Sequence, residues 1–149
     1  MQTTATTTTA DATRHHALAH LHNRNVDMTK GFAKMVEKAE PSFRDTAEQF
    51  RALHARHADT LARLLSDLGL AADLDGTFMG TVHQAVVTIR AFFDDIDEDV
   101  MGQVRSGEDS LLQAFDDAIA ESTAHGFVTT LRDMRAQVQA LVTATAHLD

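Results

Sequence analysis

Two imidazoles and a carboxylate stand where the hydrophobic pattern calls for apolar side chains. His54 and His57 interrupt the seam Phe43, Ala47, Phe50, Leu61, Leu64 and Leu68, and Glu108 interrupts Met101, Val104, Leu111, Phe115 and Ile119. Residues three apart on a helix share a face, so the two rings belong to one side of their element. Two imidazoles and a carboxylate suit zinc or ferrous iron, with water or Asp27 completing the shell. Asp27 lies near the seam of another helix, and Asn25 stands at a similar level. The same residues also suit a buried hydrogen-bond network, in which Glu108 accepts from a histidine and Asn25 satisfies the remainder. Such a network fixes helix register at some cost in stability. The structural cluster is the preferred expectation and a mononuclear metal centre is the alternative; both stay open in the sequence.

A second histidine group, His15, His16, His20 and His22, gathers where the first helix begins. His16 and His20 have the i, i+4 spacing that chelates a divalent ion on an exposed helix face, and such a surface site could bridge two chains. Solvated histidines at a helix start are the simpler expectation. His83 is expected to cap or hydrogen-bond a neighbouring helix end, and His125 and His147 have no obvious partners. Gly31 and Gly107 fall inside helices, where glycine costs about 1 kcal/mol relative to alanine, so each is expected to mark a close helix crossing. No phosphate-binding glycine loop and no nucleophile motif occurs, and no catalytic residue is assigned. There are no cysteines, which excludes disulfides, thiolate metal sites and thiol nucleophiles.

The elements that must position these residues are helical. The chain has 149 residues, 44% hydrophobic, with Pro41 as its single proline and few glycines, enough for one sizeable core. Thr13–Lys38 carries the seam Leu18, Leu21, Met28, Phe32 and Met35, with Asn25 as the polar insertion. Pro41 breaks the pattern, and Ser42 with Asp45 resembles a capping box for a second helix reaching Leu68, which Gly69 ends. A shorter helix is expected from Phe78 to Phe93. The acidic run Asp94–Asp99 then opens a helix to about Ala120, and the last helix, carrying Phe127, Leu131, Met134, Val138 and Leu141, runs to the C-terminus. Four long helices of about 35–40 Å result. Short breaks after the first and fourth helices force two antiparallel hairpins, and the long segment between them suits a crossover. The expected fold is therefore all-α, a ferritin-like four-helix bundle whose two hairpins are joined by a crossover carrying a short fifth helix. Residues 1–12 read as a disordered threonine-rich tail and 13–149 as one domain.

The chain resembles an uncharacterised bacterial family of ferritin-like four-helix bundles, a domain of unknown function, over roughly residues 18–142. The resemblance rests on Asp27-Met-Thr-Lys-Gly31-Phe32, Leu68-Gly69, Gly80-Thr-Val-His83 and Gly107-Glu108-Asp109. It implies the fold, including the short helix in the crossover, and little chemistry. The chain departs from the family pattern at Met28, Gln84 and Arg135, and at Thr60 and Gln137, where polar or acidic residues are expected. Ferritin-like di-iron centres need Glu-x-x-His pairs, and this chain contains none.

Thirteen Lys and Arg against twenty-two Asp and Glu give a formal charge of −9, which argues against nucleic acid or an anionic membrane as a partner. No apolar run is long enough to span a bilayer. The N-terminus has neither the basic nor the apolar region of a secretory signal, so a cytoplasmic setting is expected. The functional expectation is a non-catalytic bundle acting by self-association as a homodimer, with the stress or storage setting that a ferritin-like likeness suggests. The alternative is a zinc- or iron-binding bundle using His54, His57 and Glu108.

Overall fold

The computed structural model describes residues 15–70 and 96–148. Among them are four helices and no strand: α1 (His16–Lys38), α2 (Pro41–Asp67), α3 (Met101–Glu121) and α4 (Val128–Ala144). A single 3-10 turn, Glu98–Val100, leads into α3. The expected threonine tail, the helix at 78–93 and His83 lie outside the described residues. No helix among the described residues is long and apolar enough to cross a membrane.

Each boundary has a local cause. Pro41 occupies the first turn of α2, where its missing N–H is no loss. That placement displaces the capping box expected from Ser42 and Asp45: Glu40 is the cap residue, and no side chain caps the helix. At the far end Gly69 adopts φ +77°. Leu70 N then donates to Leu65 O at 2.8 Å and Gly69 N to Ser66 O at 2.9 Å, the paired bonds of a Schellman cap. The acidic run does not itself begin α3. Asp97 Oδ1 accepts from Asp99 N and caps the 3-10 turn instead. α4 is shorter than expected, at 17 residues, and Thr145 Oγ1 donates back to Leu141 O as the helix ends.

Two contacts fix the directions of the helices. Glu40 N donates to Ile96 O at 2.8 Å and Ile96 N to Lys38 O at 3.1 Å, pinning the α1–α2 turn to the approach to α3. At the opposite end the Ala17 amide of α1 donates to Glu121 Oε2 of α3 at 3.0 Å. α1 has neither an acidic first turn nor a side-chain cap of its own, so the neighbouring helix supplies the acceptor its free amides need. α1 and α3 are therefore antiparallel neighbours. α1 also packs on α2, α3 packs on α4, and α4 closes onto α2.

The core divides into two apolar halves. One holds Leu18, Leu21, Leu61, Leu65, Leu111, Phe115, Leu131 and Val138. The other holds Phe32, Met35, Phe43, Phe50, Ile96, Val100, Met101 and Val104. Along α1 the change from one half to the other comes at Asn25, along α2 at His54 and His57, and along α3 at Glu108. The polar residues thus form a tier across the middle of the bundle. Gly31 and Gly107 do not mark the close crossings expected of them, since a Cβ on either would meet nothing within 4 Å.

Candidate functional site

His54 and Glu108 are both 0% exposed, and His54 Nε2 donates to Glu108 Oε1 at 2.8 Å. This bond runs from α2 to α3. Phe32 of α1 and Phe50 of α2 stack with centroids 5.1 Å apart, and the His54 ring lies 5.6 Å from the first and 6.3 Å from the second. The seam spacing explains why the group exists: position 54 follows Phe50 by four residues and cannot avoid the core face. Nδ1 of His54 and Oε2 of Glu108 are buried and make no hydrogen bond among the described residues.

His57 turns elsewhere. Its Nε2 donates to Gln137 Oε1 of α4 at 2.9 Å, and its ring meets Phe115 edge-on at 6.0 Å. Burial pushes the imidazole down to about 4 from an ordinary 6.5, with lesser lowering from His54 and Arg56 and a partial offset from the Gln137 bond. His57 therefore stays neutral at pH 7. With Nε2–H donated, its Nδ1 keeps a bare lone pair, also buried and without a hydrogen bond among the described residues. Asn25, 0% exposed, donates from Nδ2 to Leu21 O within α1 at 2.9 Å, leaving Oδ1 unpartnered.

Of the residues expected at one centre, the structure joins His54 with Glu108 and sends His57 to α4. Asp27 goes elsewhere again. Two residues beyond Asn25, it lies about 200° round the helix from that residue. It is buried, and burial raises its carboxyl above the usual range against the lowering influence of Lys30 and Arg24. Among the described residues no group of three or more His, Asp or Glu is placed to hold a metal ion. His16 is exposed and His20 half-buried at the start of α1. His20 is lowered first by burial and then by Arg24 and His16, with Asp117 opposing. Nearby, His15 is buried with its ring 5.1 Å from that of His125, which stacks on Phe127 at 4.9 Å. His22 is buried and lowered by desolvation.

Gln137 is the site residue that the seams do not disclose. It directly precedes the seam residue Val138, and only the docking of α4 on α2 brings its amide to His57.

Residues 13–121 match the family described as Domain of unknown function (DUF2383), which covers α1, α2, the intervening segment and α3. The chain belongs to that family. Comparison with curated proteins and with solved structures finds no match for this chain.

Proposed function

We propose that this protein is a non-catalytic, ferritin-like helical bundle that acts by self-association, its polar tier serving to fix the register of the helices. The observation that carries this reading is the burial of His54 and Glu108, each 0% exposed and bonded to the other. Groups sealed in this way meet no substrate from solvent, and their partners are already chosen. A buried pair that loses its bond when α2 slides by one turn penalises the wrong register. The ferritin-like part is supported by topology. α2 ends at the end of the bundle where α1 begins, whereas Ile96 lies beside the α1–α2 turn, so the chain between Leu70 and Ile96 joins opposite ends. One long connection between two hairpins is the ferritin-like arrangement.

The test is sedimentation equilibrium on untagged protein together with elemental analysis. A dimer without stoichiometric metal supports the reading. A monomer at all concentrations removes self-association, and stoichiometric metal lost on His54→Ala removes the metal-free role of the tier.

A second reading, a mononuclear zinc or iron centre, is favoured by the two buried lone-pair nitrogens, Nδ1 of His54 and of His57. Each ring donates its Nε2–H to an oxygen, as metal-bound imidazoles do. In this reading Glu108 and Gln137 orient the ligands instead of binding the ion. Binding confined to the folded state must raise the melting temperature. Unchanged melting on zinc or ferrous addition, with no metal retained, rejects it.

A further inference from the structure

The outer face of α2 carries four exposed charges in alternating sign, Arg56, Asp59, Arg63 and Asp67. They lie within one stripe because steps of three and four residues return to the same side of a helix. That spacing would also suit ion pairs within the stripe, yet none of the four residues belongs to the ion pairs Lys34–Glu37, Arg51–Glu48 and Arg135–Asp116. The stripe has a further property. Read backwards it is − + − +, the complement of its forward order.

We propose that a second copy of this chain docks on the α2–α4 face, with the two α2 helices antiparallel about a two-fold axis at the level of Leu61 and Ala62. The inference rests on the self-association reading and names its surface. In that register Arg56 faces the partner's Asp67 and Asp59 faces the partner's Arg63, and the two-fold repeats both pairs. A self-complementary patch of this kind is what an isologous dimer requires. Small side chains, Thr60 between the charges and Ala52 one turn before Arg56, let the helices approach closely. Beside them a groove of about 410 Å³ runs between α2 and α4, lined by Ala52, Leu53, Ala140 and Leu141 with Arg56 and Gln137 among its polar members. The antiparallel register lays the C-terminal end of the partner's α2 over the Arg56 end of that groove.

The α2 segments that overlap in this register, Arg56 to Asp67, are about 18 Å long. With α4 about 10 Å alongside, the face presents on the order of 350 Å² in projection and more in accessible surface. Against roughly 600–800 Å² per partner in a stable pair, that places it among weak, reversible dimers. Exposed ion pairs add little affinity individually, so the charges here select the partner and set the register while the groove contributes the apolar contact.

Charge reversal tests this directly. Sedimentation equilibrium would be run on the full chain, on Arg56→Glu/Arg63→Glu, on Asp59→Arg/Asp67→Arg, and on an equal mixture of the two variants. All four substitutions are at exposed positions, and circular dichroism verifies that the helices are retained. The expected result is a dimer for the parent, at least tenfold weaker association for each variant alone, and recovery of a heterodimer in the mixture. A parent dimer whose variants associate as tightly as before overturns the proposed surface and leaves self-association standing. A parent that stays monomeric overturns both.

Discussion

Replacing Glu108 and His54 singly and together measures what the polar tier contributes. Glu108→Leu keeps the volume of the side chain but leaves the His54 Nε2–H without its acceptor at a position 0% exposed. An unsatisfied buried donor costs about 1–3 kcal/mol, and more where the lost partner was a charged group. A loss of about 3 kcal/mol is therefore expected, which lowers the melting temperature by on the order of 10 °C in a domain of this size. His54→Leu strands Glu108 in the same way and is expected to cost about as much. The double variant strands neither and adds apolar contact with Phe32 and Phe50, so it should lie within about 1 kcal/mol of the parent. Urea unfolding of all four proteins closes the cycle, with an expected coupling of at least about 2 kcal/mol. If the two single losses simply add, with coupling below about 0.5 kcal/mol, the pair is not a unit and the register argument fails.

Acid titration of stability should show the neutral histidine. His57 lies at about 4 in the fold against 6.5 ordinarily, so the unfolded chain takes the proton first as pH falls. Its contribution is complete above about 6.5 and is lost on the way down to about 4, on the order of 3 kcal/mol in total. His22, also lowered by burial, acts in the same direction, whereas Asp27, raised by burial, opposes it. Urea midpoints that do not fall between pH 6.5 and 4 in the parent, or that fall equally in His57→Gln, refute this. Gly107→Ala should stabilise by about 0.5–1 kcal/mol, because the new methyl group meets nothing within 4 Å, while Gly69→Ala should destabilise by about 1 kcal/mol at its φ of +77°. Thermal melts with the opposite order would show that the two positions have been misjudged. Gln137→Leu removes the acceptor of a His57 ring only 3% exposed and should cost about 1–3 kcal/mol, with hydrogen exchange rising first along α2 and α4.

The sequence by itself determined the number of long helices and the residues that cross the core. Both depend on spacing along one chain: Phe50, His54, His57 and Leu61 recur on one face whatever packs against them. It also located Gly69 as the end of α2, since a left-handed cap favours glycine locally. Some local predictions failed because a neighbour prevailed. The Ser42 capping box gave way to Pro41 in the first turn, and α1 takes its amide acceptor from Glu121, more than a hundred residues away. The partnerships within the tier were decided only by the tertiary structure. Periodicity says that His54 and His57 both face inward, but not that one meets Glu108 on α3 and the other Gln137 on α4. A shared face spans enough arc for two rings to reach different helices. The docking of α3 and α4 on α2 chooses between them, and that choice separates two hydrogen-bonded pairs from a single cluster of three ligands.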